Sequence, residues 1–282
     1  MLTSIVKLGV ERGRIELNQS LSHILNYTFF PIVALVVMYF LRGVVVQGGS
    51  LGSYALPGII SMNLLFTGFM GLATNLISER EEGTLMRART IPFGIHTYLI
   101  GKVLCQVALT LITILVIMAA SAALFGNFFL GGPRLLALTW VLPLGLTSTL
   151  PWGAAFGSLI RHPRNLSFIS LGMMGLLSLS GIFYPVSGQA PWTQILSQAS
   201  PVYWIGLGVR GALMPETAVV AEVGQSWRML ETTLVLIVWS LLGTLAAISI
   251  MRRSSRKEGG RGLMRSAWIR RRRRRYRGRH RA

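Results

Sequence analysis

The sequence has little charge, no aspartate and one cysteine. Charged residues make up 13% of the 282 residues and hydrophobic residues 52%, whereas soluble domains are about 25% charged. This composition excludes an ordinary soluble domain and predicts an integral membrane protein. Cys105 lies in an apolar run, which excludes an intrachain disulfide framework and a cysteine-rich metal site.

The sequence also lacks a phosphate-binding loop. Such a loop needs Gly-Lys-Ser or Gly-Lys-Thr after spaced glycines, and the one Gly-Lys pair, Gly101-Lys102, is followed by Val103. Because there is no aspartate, no acidic strand end is present to hold Mg²⁺. We therefore expect no catalytic residue, metal site or cofactor in this chain. Energy for any work that the protein performs would come from a partner or from an ion gradient.

Six apolar runs predict membrane spans, since about 20 mostly apolar residues cross a bilayer. In the fourth run, Pro143 and Pro151 predict a kink or a break. The expected fold class is an all-α integral membrane domain of six transmembrane helices over residues 26–251. The runs lie at about 27–41, 56–77, 98–125, 135–160, 166–184 and 230–251.

Two further segments have a distinctive pattern. Residues 1–25 carry apolar residues along an approximate helical stripe, which predicts a cytoplasmic amphipathic helix at the membrane surface. Residues 185–215 are apolar but interrupted by Pro and Gly, and they are interleaved with aromatic residues that favour the headgroup level. We expect a re-entrant helical hairpin dipping into the outer leaflet. The residues expected to form an outer gate there are Phe183, Tyr184, Trp192 and Trp204.

The basic residues are distributed unevenly. Of the 28 Lys and Arg, 15 lie after Met251. With the N-terminus inside, inner segments hold 24 basic residues and outer segments 4, and without the tail the split is 9 to 4. The positive-inside rule therefore predicts that both termini are cytoplasmic. The tail, residues 252–282, is expected to be disordered and to bind anionic lipid. The alternative, a nucleic-acid-binding arm, is less favoured beside a bilayer.

A polar segment, residues 79–92, separates the second and third runs. Its three glutamates and three arginines cannot lie in hydrocarbon, so we predict a short elbow at the membrane surface. The elbow has the pattern of a helix with negative charge in its first turn and positive charge in its last turn. These charged residues include Glu79, Glu81, Glu82, Arg87 and Arg89. A soluble partner that binds such a helix could move the attached spans.

The elbow and its surroundings contain a recognisable motif. An acidic cluster followed by Gly-Thr closes the second run, a Pro follows, and Gly-Lys enters the third run. The residues are Glu79, Glu81, Glu82, Gly83, Thr84, Pro92, Gly101 and Lys102. With the predicted topology, this motif resembles the membrane subunit of type-2 ABC exporters, which include bacterial drug-resistance and polysaccharide or lipid export permeases. The resemblance covers most of the chain up to about Arg252. Family members often continue after Gly-Thr with an acidic residue and leucines, whereas Met86 to Arg89 differ here, and the Arg-rich tail is not a family feature.

The resemblance implies specific partners. The elbow would be a coupling helix that docks into a groove on a separate nucleotide-binding ATPase subunit, and that subunit would bind ATP and Mg²⁺. A working transporter would contain a second permease subunit, either a copy of this chain or a relative. The coupling residues implied are Glu79, Glu81, Glu82, Gly83, Thr84, Leu85, Arg87, Arg89 and Pro92.

The second and fifth runs contain candidate pathway residues, because in the family these spans tend to line the route. Flexible methionines and flat aromatic faces suit a large apolar or amphipathic substrate, although ordinary helix packing accounts equally well for any one of them. The candidates are Asn63, Phe66, Phe69, Met70, Met173, Met174 and Leu177. In the fourth run, the spacing of Gly153 and Gly157 predicts a close approach of two helices, which packing within one subunit would satisfy.

These features predict a permease of an ATP-driven exporter in the bacterial inner membrane, moving an amphipathic drug-like, lipid or lipid-linked substrate outward. One alternative is a gradient-driven carrier, but the middle of the predicted spans has none of the carboxylates or histidines that ion coupling uses. Another is a membrane-anchored protein whose basic tail recruits nucleic acid. That protein would lose its function when residues 252–282 are removed.

Overall fold

The computed structural model describes residues 2–22, 24–46, 49–81, 94–125, 135–160 and 163–250. Within these ranges the chain is almost entirely helical, and a minimal antiparallel pair joins β1 (Val45–Val46) to β2 (Gly49–Ser50). The helices are α1 (Leu2–Leu21), α2 (Ile24–Phe40), α3 (Leu51–Leu65), α4 (Leu72–Glu81), α5 (Gly94–Phe125), α6 (Leu135–Leu159), α7 (Leu166–Leu179), α8 (Pro191–Ala199), α9 (Pro201–Leu213) and α10 (Met229–Ile250). A π-helical segment, Phe66–Gly71, joins α3 to α4, and 3₁₀ turns cover Pro163–Asn165 and Glu216–Ala221.

Three of the described helices are long and apolar enough to cross a membrane. They are Gly52–Glu79, which runs from α3 through the π segment into α4, Thr97–Phe125 in α5, and Met229–Ile250, which is α10. The segments Tyr27–Phe40 and Leu166–Leu179 are apolar but shorter. The helical membrane fold is thus confirmed, while the number of six spans stays a prediction.

Helix α6 does not break at its prolines. It is continuous over 25 residues with Pro143 and Pro151 inside. Apolar helices tolerate proline where neighbouring helices and Ser or Thr hydroxyls satisfy the backbone groups that proline frees. In α6 the carbonyl groups that lose their donors lie four residues before each proline, at Thr139 and Thr147. The predicted break therefore does not occur, and the alternative, a kink, stays a prediction.

The fifth predicted span is shorter than its apolar run. Helix α7 ends at Leu179 rather than near Tyr184. Gly181 then adopts a φ of +64°, a conformation that glycine allows at little cost. A side chain on Gly181 would also overlap Val186. This tight turn directs the chain into the hairpin of α8 and α9.

The π segment and α6 approach each other backbone to backbone. A Cβ atom on Gly153 would overlap the carbonyl of Phe69, and one on Gly157 would lie 2.9 Å from the Cα of Ala73. The glycine spacing in the fourth run therefore packs α6 against the second span of the same subunit. Gly68 contributes from the opposite side, because a Cβ atom there would overlap Thr149.

Helix α1 forms over the predicted N-terminal segment and packs along the start of α5. A Cβ atom on Gly9 would lie 2.7 Å from Cγ2 of Ile100, and one on Gly13 would lie 3.0 Å from the carbonyl oxygen of Gly101. Apolar side chains on other positions of α1 stay exposed. They include Val6, Leu8, Val10 and Ile15. Helix α1 is therefore docked on α5 with apolar side chains exposed on more than one side, and its position at the membrane surface stays a prediction.

The segment before α10 forms two short helices, as the pattern of Pro and Gly predicts. Pro191 and Pro201 occupy the first turns of α8 and α9, where the missing N–H costs nothing. All of α9 from Val202 to Leu213 is buried, and it packs against α3 and α6. Helix α9 is thus an integral part of the helical core, whereas α8 is largely exposed, and a re-entrant position in the outer leaflet stays a prediction.

Candidate functional site

A cluster of charged side chains lies where α4 ends and α5 begins. Glu79 accepts a hydrogen bond from the hydroxyl of Tyr98 and forms an ion pair with Lys102. The Lys102 Nζ also lies 3.1 Å from Oε2 of Glu16 on α1. Arg12 is 3.2 Å from Oε1 of Glu16 through its Nε atom, and its guanidinium lies 4.7 Å from the centre of the Tyr98 ring. These five residues, called the elbow cluster below, connect α1, α4 and α5.

The elbow cluster is balanced in charge, which explains how it can be partly buried. Lys102 is buried and contacts two carboxylates, and Arg12 contacts one of them. A buried charge is tolerated when it is paired, and removing one partner leaves an uncompensated charge. We infer that the side chains of Arg12 and Lys102 hold α1 and α4 together against α5.

The position of Glu79 corrects one part of the elbow prediction. Helix α4 continues to Glu81, so Glu79 lies in the last turn of the span helix and not in the first turn of a separate one. A carboxylate in the last turn is disfavoured by the helix dipole, and the ion pair with Lys102 offsets this cost. The helix of the second span thus continues into the charged residues, to Glu81, rather than ending before them.

Most of the predicted coupling residues lie outside the described parts of the chain. This holds for Glu82, Gly83, Thr84, Leu85, Arg87, Arg89 and Pro92. Glu81 is described only as the last residue of α4. Their roles stay predictions, and Glu79 is the coupling residue whose contacts the structure gives. The basic tail, residues 252–282, is likewise outside the described ranges.

A seam of polar contacts extends from the elbow cluster into the membrane domain. The Asn75 Nδ2 atom donates to Oε1 of Gln106 at 3.4 Å, and the Thr113 hydroxyl donates to Oδ1 of Asn63 at 3.0 Å. Together with the Glu79 contacts, these bonds connect the second and third spans at three levels. Interhelical hydrogen bonds in membranes contribute about 0.6 kcal/mol each, so the seam mainly fixes the register of the two helices.

The polar seam was not predicted, although the sequence carries a signal for it. Polar residues recur at helical spacing on both spans, and residues four apart share one face of a helix. On the second span they are Asn63, Thr67, Asn75 and Glu79, and on the third they are Tyr98, Lys102, Gln106, Thr110 and Thr113. Two such stripes in neighbouring apolar runs predict mutual pairing.

The predicted pathway residues fall mainly in one apolar cluster. Phe69, Met173 and Leu177 are buried members of it, and Phe66 and Met70 pack against it. The two remaining candidates differ: Asn63 faces α5 through its bond to Thr113, and Met174 is exposed. The structure therefore brings the second and fifth predicted spans together at these side chains, while their contact with substrate stays a prediction.

Two apolar cavities flank this cluster. One of about 530 Å³ lies between the π segment, α6, α7, the hairpin and α10, and Phe69 and Met173 line it. The other, of about 470 Å³, lies between α2, the second span and α7, and it is lined by Asn63, Phe66 and Met174. Five of the seven candidate pathway residues thus line a cavity.

The four predicted outer-gate residues lie in different surroundings. Trp204 is 6% exposed and donates to the carbonyl of Gln198 at 2.7 Å, whereas Trp192 is 63% exposed. Phe183 is partly buried against the apolar cluster, and the hydroxyl of Tyr184 donates to a backbone carbonyl in the last turn of α7. Trp204 is thus part of the packed core, and the gate stays a prediction.

A buried ion pair that was not predicted from the sequence holds the hairpin. Arg210 on α9 is 0% exposed, and its Nε and Nη2 atoms lie 2.7 and 3.2 Å from the two carboxylate oxygens of Glu222. Its Nη1 atom donates to the carbonyl of Gly181 at 3.0 Å. Arg210 therefore joins α9, the segment after it, and the turn that follows α7.

The chain from β1 to the end of α10 matches a known protein family. The family is described as ABC-2 family transporter protein, and the match covers residues 45–249. The chain therefore belongs to the ABC-2 transporter family and is a membrane-embedded permease. Such permeases are generally the non-catalytic membrane subunits, and the family implies an ATP-binding partner in general. A comparison with curated proteins gives no match.

Proposed function

We propose that the chain is the transmembrane subunit of an ATP-binding-cassette exporter that moves an amphipathic drug-like, lipid or lipid-linked substrate outward. The observation that carries this proposal is the elbow cluster. Its contacts join both spans that flank the elbow to each other and to α1. A force applied at the elbow would therefore move three helices together rather than bend one loop.

In this proposal, a nucleotide-binding subunit binds ATP and Mg²⁺ and docks on the elbow, residues 79–92. Glu81 and Glu82 would meet basic residues on that subunit. The polar seam would transmit its closing motion along the second and third spans, because helices fixed in register move as one body. The outer gate and the hairpin would then open to release substrate.

The apolar cavities support an amphipathic substrate. Their walls contain Phe66, Phe69, Met173 and Met174, and methionine and aromatic side chains adapt to large apolar ligands. The π segment carries two of these residues, and such segments are frequent at functional sites.

A second permease subunit is part of the proposal. Helix α7 exposes Phe168 and Leu171, and at Gly172 and Gly175 a Cβ atom would meet none of the described residues within 4 Å. Such an apolar face with small residues suits a helix partner in the membrane. Both termini would be cytoplasmic in a bacterial inner membrane, with the basic tail on anionic lipid.

The first test is co-purification from native membranes in mild detergent, followed by an ATPase assay. We expect an ATPase with the wild-type chain and its loss with Glu81→Lys, Glu82→Lys. Glu231→Lys changes an exposed carboxylate on α10 and is expected to keep the ATPase. In Lys102→Met the ATPase is expected to remain while export falls, because that change breaks the elbow cluster and not the docking surface. Absence of an ATPase from the wild-type preparation in several detergents would contradict the proposal.

Export assays distinguish the gradient-driven alternative. The expected outcome is that export stops on ATP depletion and persists when an uncoupler is added with ATP maintained. Survival of export without ATP would instead support a secondary carrier.

A further inference from the structure

Two cavities follow one another along the same side of the second span. The larger, of about 1120 Å³, lies between α1, the start of α2 and α4, and both Asn75 and Glu79 line it. The second is the 470 Å³ cavity, which is lined by Met62 and Gly71 earlier on that span. Tyr27 of α2 lines both cavities. They are therefore neighbours in one groove between α2 and the second span.

The walls of the two cavities differ in chemistry. The larger one, the polar chamber, has charges of both signs from Glu11, Arg12, Glu16, Glu79 and Lys102. The smaller one, the apolar chamber, is lined mainly by hydrocarbon. Its apolar residues include Phe30, Pro31, Val33, Ala34, Met62, Phe66 and Met174. A polar chamber followed by an apolar one is complementary to an amphiphile and not to a uniformly apolar ligand.

The lengths of the chambers agree with those of a membrane lipid. Met62 and Gly71 are separated by roughly 14 Å of helix at 1.5 Å per residue. One leaflet is about 15 Å deep, half of a hydrocarbon core of about 30 Å. Asn75 and Glu79 lie about one and two turns further towards the elbow, at the level that headgroups would occupy. The apolar chamber therefore has the length of an acyl chain.

We propose that the two chambers together bind one zwitterionic phospholipid from the leaflet on the elbow side. Its ammonium group would contact the carboxylates, and its phosphate would contact Lys102 and Arg12. One acyl chain would fill the apolar chamber. A headgroup with only negative charge would be repelled by three carboxylates, and a headgroup with only positive charge would be repelled by two cations. A zwitterionic headgroup has a partner for each of its charges and is therefore favoured. A zwitterionic phospholipid is one class within the amphipathic substrates of the proposed function. Only the claim that the bound lipid is transported rests on that function.

The experiment measures lipid retention on the full-length chain by native mass spectrometry in mild detergent, without ATP or an ATPase. The probes are phosphatidylethanolamine, phosphatidylglycerol and a dialkyl dimethylammonium lipid, all with the same chains. We expect phosphatidylethanolamine to bind about tenfold more tightly than either other lipid. Val33→Trp, which fills the apolar chamber, is expected to weaken its binding about tenfold. Val37→Trp lies one turn further along α2, outside the described lining, and is expected to leave binding unchanged.

Glu11→Gln tests the polar chamber on an exposed residue of α1. It is expected to reduce the preference for phosphatidylethanolamine over phosphatidylglycerol, while Glu231→Gln on α10 does not. Equal retention of the three lipids, or equal effects of the two tryptophan variants, would show non-selective annular lipid and overturn the proposal. Because no ATPase is present, such a result would leave the exporter proposal intact, and failure of the co-purification test would leave this binding result intact.

Discussion

The guanidinium of Arg210 shows how one side chain can organise the hairpin. It forms a bidentate ion pair with Glu222 and also donates a hydrogen bond to the backbone carbonyl of Gly181. Two-pronged pairing of arginine with a carboxylate is short, directional and not reproduced by lysine. Since both side chains are almost fully buried, the pair fixes a geometry more than it adds net stability.

The first prediction concerns this ion pair. Glu222→Gln is expected to destabilise the purified protein by about 3–5 kcal/mol, because the buried guanidinium then lacks a counter-charge. Thermal unfolding in detergent measures the effect, with Glu231→Gln as an exposed control that should unfold like the wild type. The double variant Arg210→Met, Glu222→Leu is expected to recover most of the loss, since it removes both charges. An unchanged unfolding temperature for Glu222→Gln would contradict the structural role.

At the scale of helices, the apolar runs predicted most elements, because the length of an apolar run and the charges at its ends can be read from neighbouring residues. The short helices α8 and α9 and the N-terminal helix α1 also followed from local patterns, while their positions relative to the bilayer stay predictions. The end of α7 did not, because it depends on the contact of Gly181 with Val186. The π segment likewise depends on contacts with α6 far along the chain, and these distant contacts have no local signature.

The candidate site was predictable to a similar extent. The acidic end of the second span was evident from its charges. Its partners Tyr98 and Lys102 lie on α5, and the contact of Lys102 with Glu16 required the packing of α1 against α5. The polar seam was readable in principle from the four-residue spacing on both spans. Arg210 had no such signal, since its partner Glu222 lies 12 residues away across a turn.

The second prediction tests the packing of α6 on the second span. Gly153→Ala is expected to destabilise the protein by about 1–3 kcal/mol, because the added methyl group overlaps the Phe69 carbonyl and forces the helices apart. Gly43→Ala is the control, in the exposed turn after α2, where a Cβ atom meets none of the described residues within 4 Å. Since Gly43 does not have a positive φ, the control is expected to be neutral. Equal unfolding temperatures for both variants would contradict the close contact.

At the scale of the whole molecule, the elbow cluster extends beyond the region that matches the family. The match begins at residue 45, whereas Arg12 and Glu16 of the elbow cluster lie on α1. Helix α1 also lines the polar chamber. An N-terminal truncation to the matched region would therefore remove both a support of the elbow and one wall of the proposed lipid site.

The last prediction concerns the orientation of the whole domain. The single Cys105 allows a Cys105→Ser background in which one cysteine is added at a time. If the N-terminus and the elbow face the cytoplasm, Ser226→Cys in the exposed turn before α10 is expected to react with an impermeant maleimide in intact cells. Asn18→Cys on the exposed side of α1 is expected to react only after permeabilisation, because an impermeant reagent cannot reach the inner face. Both positions are exposed, so a difference between them reports the side of the membrane and not burial. The reverse labelling pattern would place the elbow outside, where no cytoplasmic ATPase could dock, and would overturn the exporter proposal together with the assigned direction of transport.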